Sequence, residues 1–373
     1  MKIIITGADG LLGWHAHTRL HAANCADKFA GIAPRFEIVA LNRKSFQSDT
    51  ELDKAVSGAV GVLHFAGVNR ADDSVIAEQN PAIAQRLLDS CRRTNSQPYI
   101  AYANSTHSAG DSVYGKSKRR AAEILHDAEL SVANIIFPHI YGESAKPFYN
   151  NVTSTLIDQI INEQDVSVNP DGAVNLLHAG DAADIAIQSI VSGSSDDIRP
   201  DGDHIGIPDL YEMLSKMHKL YENNIYPDFR TALQVKLFNA YRFATYPQKW
   251  PRKLQLNEDN RGVLFEAVKG GGNGQSFLST TMPGITRGDH FHLNKVERFL
   301  VVQGEAIIRM RKVLGSEVLE FKVGGDEPAA VDMPTMVTHS IENVGSSDLT
   351  TLFWTHEIFD PENPDTYADA VLQ

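Results

Sequence analysis

Short apolar runs recur through the first two hundred positions of the chain: KIIIT at 2–6, FEIVAL at 36–41, GVLHFAG at 61–67, PYIAYAN at 98–104 and VANIIF at 132–137. Each is too short for a helix and too continuously apolar for a strand with one wet face. Between them lie segments with apolar positions at helical spacing, such as AIAQRLLDSCRRT at 82–94 and SKRRAAEILHDAE at 117–129. Strand and helix in alternation predict a parallel sheet covered by helices on both faces. From 206 to 244 the pattern turns mostly helical. RFATYPQKWPRKLQ at 242–255 then brings two prolines and no period, which puts a domain boundary near Tyr246. Beyond it, runs rich in Val, Ile, Phe and Thr are broken by KGGGNG at 269–274, MPG at 282–284, VGG at 323–325 and VGSS at 344–347. That predicts a β-sandwich or barrel, with KGGGNG read as a hairpin loop. The expected domains are 1–245 and 246–373.

Composition narrows the function classes. With 42% hydrophobic and 22% charged residues, and no apolar run long enough to cross a bilayer, the chain reads as a soluble globular protein without a membrane partner. A formal charge of −13 excludes the basic groove that nucleic acid requires, so small-molecule partners are expected. Cys25 and Cys91 are the only cysteines, and the start of the chain carries no signal-peptide pattern. Both point to a cytoplasmic location.

TGADGLLG at 6–13 follows a strand-like run and opens a helical one. Gly7, Gly10 and Gly13 therefore sit where a glycine turn lets the backbone approach a pyrophosphate at a helix N-terminus. The second strand ends without the acidic residue that binds a ribose 2′-hydroxyl. Arg43 stands there instead, as a 2′-phosphate would require, which favours NADPH over NADH. In NSTHSAGDSVYGKSK, Tyr114 and Lys118 are four apart on one helix face. An ammonium beside a phenol favours the phenolate, so Tyr114 is the candidate acid–base group. Ser105, at the end of a strand nine residues upstream, is placed to donate to the same substrate oxygen.

TGxxGxxG, a strand-end serine and YxxxK together resemble the short-chain dehydrogenase/reductase superfamily in its extended, sugar-nucleotide-modifying branch. HFAG at 64–67, Asn80 and FPHIYGE at 137–143 are similar to further signatures of that family. The resemblance implies a Rossmann-type doubly wound sheet, with Ser105, Tyr114 and Lys118 catalytic. Gly7, Gly10, Leu11, Gly13, Arg43, Ala66 and Gly67 would face the cofactor together with Tyr114 and Lys118. Thr106 follows Ser105, so either hydroxyl could fill the serine role.

The second half carries different chemistry. In GITRGDHFHLNKVERFLVVQG at 284–304, His290 and His292 are two apart, so a strand turns both to one face, and Glu297 returns from the next strand. His339, in PTMVTHSIEN, is the fourth candidate. Three imidazoles and a carboxylate suit Zn, Fe, Mn or Ni, and zinc is the working assignment. The spacing resembles the first cupin motif, and Pro334, His339 and Asn343 resemble the second, which implies an all-β cupin (jelly-roll barrel). Met336 departs from the motif by replacing its turn glycine, and Pro328 by standing where the second motif begins with glycine. His17 and His21 are also four apart, but with no third ligand they read as surface or packing residues.

An extended reductase followed by a cupin, with HFAGVNR at 64–70, NEDNRG at 257–262 and EIFDPENPDTY at 357–367, is similar to a family of bifunctional capsular-polysaccharide enzymes. The resemblance implies a homodimer acting on a UDP-linked 4-keto-6-deoxy-N-acetylhexosamine. The cupin would epimerise C3, and the first domain would reduce the C4 ketone with NADPH. Two other readings are a reductase with a purely structural metal-binding cupin, and a non-catalytic sensor. Intact Ser105, Tyr114 and Lys118 argue against the sensor.

Overall fold

A computed structural model describes residues 1–194, 197–260, 262–270, 272 and 274–373. The chain forms two compact units, one of residues 1–155 and 169–207, the other of 156–168 and 208–373.

The first unit runs β1 (Lys2–Thr6), α1 (Leu11–Phe29), β2 (Glu37–Leu41), α2 (Arg43–Gln47), α3 (Asp49–Val56), β3 (Gly61–His64), α4 (Asp73–Arg93), β4 (Tyr99–Ser105), α5 (Val113–His126), β5 (Val132–Phe137) and β6 (His139–Tyr141). After α6 (Val152–Ile161), which crosses the division, come β7 (Ala173–His178), α7 (Ala179–Ser192), β8 (Asp197–Ile198) and β9 (Asp203–Gly206). All five expected strands are present. α4 starts earlier than the apolar period suggested and carries Pro81 inside it.

The parallel sheet has the order β2-β1-β3-β4-β5-β8. Alternation along β1 explains why its sequence reads as unbroken apolar. Ile3 and Ile5 pack with Ala16 and Leu20 of α1 and Ala183 and Ala186 of α7. Ile4 faces the other way, with Leu52, Leu87 and Leu125 of α3 to α5. Both faces are buried along Ile3, Ile4 and Ile5, which is why the middle of the strand is continuously apolar.

The second unit holds α8 (Ile207–Glu222), β10 (Ile225–Tyr226), α9 (Ala232–Thr245), β11 (Arg252–Lys253), β12 (Leu256–Asp259), β13 (Gly262–Phe265), β14 (Lys269–Gly270), β15 (Gln275–Thr281), β16 (Thr286–Phe291) and β17 (Glu297–Gln303). It ends with β18 (Glu305–Lys312), β19 (Val318–Gly324), β20 (Ala329–Met333), β21 (Val337–Asn343), β22 (Leu349–Thr355) and β23 (Tyr367–Ala368). Two antiparallel five-stranded sheets, β11-β20-β17-β22-β15 and β19-β18-β21-β16-β23, share a core that includes Phe299, Met310, Val337 and Phe353. This is the expected all-β, cupin-like domain. β14 pairs in parallel with β10, not with a hairpin partner. Gly271 and Asn273 of the KGGGNG tract, and Arg261 of NEDNRG, lie outside the described residues.

α8 and β10 are tied to the sheets of this unit by a polar network. Along β17, Phe299 points into the core and Arg298 points out, where its guanidinium meets Asp332 of β20 at 2.6 and 3.0 Å. Tyr226 donates to the same carboxylate at 2.7 Å, and Tyr221 of α8 also donates to it. Arg298, Asp332 and both tyrosines are buried. A charge pair out of water is tolerable only when its remaining hydrogen-bonding capacity is met, and here it is.

Candidate functional site

In the first unit the sheet order reverses between β1 and β3, and ligands of doubly wound folds bind at that reversal. Gly7 has φ +67°, and a Cβ there would lie 2.9 Å from the Ala66 nitrogen. A Cβ on Gly13 would lie 2.2 Å from the Gly7 carbonyl oxygen. Only glycines let α1 start this close to the turn. Gly10 caps α1 with no side-chain hydrogen bond, so the first amides of the helix remain available to an anion. Thr6 joins the two strand ends, with its hydroxyl 2.9 Å from His64 Nδ1 and accepting from the Ala66 amide at 3.1 Å.

A cavity of about 1050 Å³ opens here. Gly7, Gly10, Leu11, Gly13 and Gly67 line it, and so do Ser105, Thr106, Tyr114 and Lys118. Ala66 stands behind Gly7. Arg43 is exposed at the first position of α2, just past β2, and is not part of the lining.

Tyr114 and Lys118 occupy the first turns of α5, whose cap Ser112 accepts from the Gly115 amide at 3.1 Å. Ser105 ends β4 and hydrogen-bonds the Tyr114 phenol, so of the two candidate hydroxyls it is the one placed on the tyrosine. The electrostatics differ from the expectation that Lys118 lowers the phenol. Burial raises the Tyr114 pKa above its ordinary value, with the Ser105 hydrogen bond only opposing it. Lys118 is itself buried and donates to the Ala103 carbonyl at 2.5 Å. Burial brings it down to about 7. Desolvation is the first cause of both shifts, with Lys118 buried and Tyr114 partly so. Asn80 braces the pair from behind, donating to Ser117 Oγ and the Val68 carbonyl at 2.9 Å each.

Several lining residues escaped the sequence reading. His107 stands edge-on to Tyr114 with ring centroids 6.2 Å apart. His139, Lys146 and Asn151 come from the segment after β5. FPHIYGE contained His139, but nothing in the sequence alone distinguishes a lining histidine from a packed one.

Beneath that segment lies a second cluster the sequence did not reveal. Glu143 is buried, with His178 Nε2 at 2.9 Å and His15 Nε2 at 3.8 Å from Oε2. The three donor atoms are close enough for a metal, but the tautomer argues otherwise. His178 Nδ1 accepts from the Gly180 amide at 3.2 Å, so its proton is on Nε2 and points at Glu143. The cluster is a hydrogen-bond brace, with His15 Nε2 also on the Glu143 backbone carbonyl at 3.1 Å and only His15 Nδ1 left without a partner.

The cupin histidines have the opposite polarity. His290, His292, Glu297 and His339 bring their donor atoms within 4.8 Å of one another. β16 and β21 pair His290 directly with His339, and the extra residue Asp289 forms a bulge beside them. His292 Nδ1 donates to the Asp365 carbonyl at 2.6 Å, His339 Nδ1 to the Val337 carbonyl at 3.1 Å, and His290 to Gly288. With Nδ1 turned to a carbonyl in His292 and His339, each directs Nε2 at Glu297, at 3.0 and 3.4 Å. Without an ion, and against the effect of burial, Glu297 raises the His292 pKa, so that its Nε2 hydrogen-bonds the carboxylate. Imidazoles oriented by carbonyls behind them are how metal ligands are held. Burial and the neighbouring imidazoles push His290 well below its ordinary pKa. Although burial opposes it, His292 and His339 hold the Glu297 carboxyl down in its ionised form. The donor set fits a divalent transition metal.

Met336, at the position of the motif's turn glycine, adopts φ +57°. The turn conformation persists without the glycine, held by Met336 N to His292 O at 2.8 Å and Val313 N to Met336 O at 3.0 Å.

Residues 3–199 match the NAD dependent epimerase/dehydratase family, and residues 257–367 match the polysaccharide biosynthesis C-terminal domain. A Pseudomonas aeruginosa protein, UDP-2-acetamido-2,6-beta-L-arabino-hexul-4-ose reductase, is 28% identical over 381 residues, covering 100% of this chain and 99% of the relative. Spore coat polysaccharide biosynthesis protein SpsL of Bacillus subtilis is 26% identical over 124 residues, covering 31% of this chain and 82% of SpsL. The crystal structure of the capsular polysaccharide assembling protein CapF from Staphylococcus aureus aligns over 100% of both chains with 28% identity and a TM-score of 0.59. UDP-N-acetylglucosamine 4-epimerase from Methanobrevibacter ruminantium M1 aligns over 65% of this chain and 97% of its own, with 15% identity and a TM-score of 0.52, a likeness of fold.

Proposed function

The chain belongs to the NAD dependent epimerase/dehydratase family, and on that premise we propose that it is a two-step nucleotide-sugar enzyme of surface-polysaccharide synthesis. Its substrate is a UDP-linked 4-keto-6-deoxy-N-acetylhexosamine. The cupin part, 246–373, inverts C3, and the part at 1–245 reduces the C4 ketone. The observation that carries the reading is the convergence of Ser105, Tyr114 and Lys118 on the cavity that also holds the glycine turn. End-to-end similarity to a hexulose reductase and to CapF supports it.

NADPH, when bound, supplies the hydride. Tyr114, kept protonated by burial, is the acid for the ketone oxygen, and Ser105 orients both the phenol and that oxygen. Lys118 supplies positive charge that stabilises the phenolate left behind. In the cupin, His290, His292, Glu297 and His339 would hold a divalent metal, zinc in our assignment, whose Lewis acidity would favour loss of the proton α to the ketone.

A cytoplasmic homodimer completes the reading. The β12–β13 hairpin exposes Leu256, Val263 and Leu264, and β15 exposes Phe277 and Leu278. An isolated hairpin is marginal in water, so a second copy covering these strands would account for it.

The test uses the 4-keto sugar nucleotide in deuterated water. Deuterium should enter at C3 without NADPH, and NADPH should then be oxidised. Tyr114→Phe should stop NADPH oxidation and leave exchange intact. If exchange at C3 never occurs, the reductase-only reading stands; if neither reaction occurs, both fail.

A further inference from the structure

Arg242, on α9, has no exposed surface. Among the described residues no carboxylate pairs with it. Its Nη2 donates to Asn239 Oδ1 at 3.0 Å, and the guanidinium carbon lies 5.5 Å from the centre of the Phe238 ring. Nε and Nη1 are buried without an acceptor. The other buried acid of this layer cannot serve, because Asp332 is already taken by Arg298, Tyr221 and Tyr226. Arg252 adds to the excess: it stacks on Tyr221 at 4.1 Å, and its own Nε is buried without an acceptor.

A guanidinium cannot discharge itself by losing its proton, so the charge is present at every physiological pH. Leaving it buried without a counter-charge is a penalty on the scale of the whole stability of a domain. A ring face and one amide oxygen recover only a part of it. The charge is felt nearby: the His356 imidazole is held at about 4, first by burial and then by Arg242.

We propose that Arg242 seats a small buried anion of the halide class, bound through Nε and Nη1. Size and charge follow from the setting. A fully enclosed guanidinium leaves no room for an extended ligand, and one unpaired positive charge calls for one negative charge. The site has structural reach. Asn239, which accepts from Arg242, donates to the Asn294 carbonyl at 2.8 Å, inside the turn between His292 and Glu297.

The test is crystallographic, with a thermal arm. Full-length protein is crystallised with bromide as the halide, and anomalous scattering is recorded at the bromine edge. A peak within hydrogen-bonding distance of Arg242 Nε and Nη1 is expected. Separately, melting is followed as bromide replaces gluconate at constant ionic strength. The protein should gain on the order of 3 °C, and Arg242→Met should gain none. Water density at Arg242, peaks at surface arginines only, or equal thermal gains in both proteins would overturn the proposal. If Arg242→Met fails to fold, the anomalous map of the unmodified protein decides alone.

Discussion

His339 turns its Nε2 toward a carboxylate oxygen of Glu297 at 3.4 Å, with its other ring nitrogen committed to the Val337 carbonyl. That Nε2 is buried without a hydrogen-bond partner, and a cation shared with the carboxylate supplies one. Purified protein should therefore carry about one equivalent of transition metal by elemental analysis. His339→Ala should lower that content at least tenfold at equal free metal. Undiminished metal in the variant would place the ion elsewhere.

Tyr114 and Lys118 give a pH dependence with a definite sign. Burial lowers Lys118 from the ordinary lysine value to about 7, so it is charged below that pH and neutral above. Tyr114 is raised and stays protonated throughout. kcat/KM for NADPH oxidation, which reports the free enzyme, should fall as pH rises through about 7, approaching tenfold per unit. A profile flat to pH 9, on the order of two units beyond that value, would show that Lys118 titrates elsewhere or that its charge is immaterial.

Arg43 stands exposed just beyond β2, where a 2′-phosphate would reach it. NADPH should be preferred over NADH, and Arg43→Ala should erase most of the preference by raising KM for NADPH about tenfold, with kcat held. Equal use of both cofactors by the unmodified protein rules the assignment out.

Much of this was legible in the sequence because it depends on spacing along one element. The glycine turn, Tyr114 with Lys118, and His290 with His292 and Glu297 all lie within a few residues, and a helix or strand fixes which side chains share a face. The brace of His15, Glu143 and His178 was not legible, since its members are brought together by three different segments. Burial was not legible either. The spacing of Tyr114 and Lys118 promised a depressed phenol, and the desolvation that reverses it exists only in the folded chain.

Met336 allows two effects to be weighed. Its φ of +57° costs an L-residue roughly 1 to 2 kcal/mol, which glycine would recover. Its side chain is fully buried, and removing one of that size costs about 2 to 5 kcal/mol. Lost packing therefore outweighs relieved strain. Met336→Gly should destabilise the protein in a denaturant melt, although glycine is the motif's own residue. A gain in stability would mean that strain dominates.

Asp332 and Arg298 give the strongest stability prediction. Asp332→Asn keeps the shape and two of the hydrogen-bonding sites but removes the charge, leaving the Arg298 guanidinium buried and unpaired beside Tyr221 and Tyr226. Breaking one side of a buried pair typically costs about 3 to 5 kcal/mol. Burial alone would raise the Asp332 carboxyl, but Arg298 and Tyr221 outweigh it and hold it well below the ordinary range. With the folded pKa depressed, the stabilisation is complete above the unfolded carboxyl pKa of about 4 and is lost as pH falls below it. The deficit of Asp332→Asn against the unmodified protein should therefore be full at neutral pH and shrink in acid. Replacing the pair together, as Arg298→Met with Asp332→Leu, should recover most of the loss, because apolar side chains of similar volume leave no charge to desolvate. Denaturant melts at neutral and acid pH check all three statements. A deficit that does not change with pH would show that Asp332 acts through its shape and not its charge.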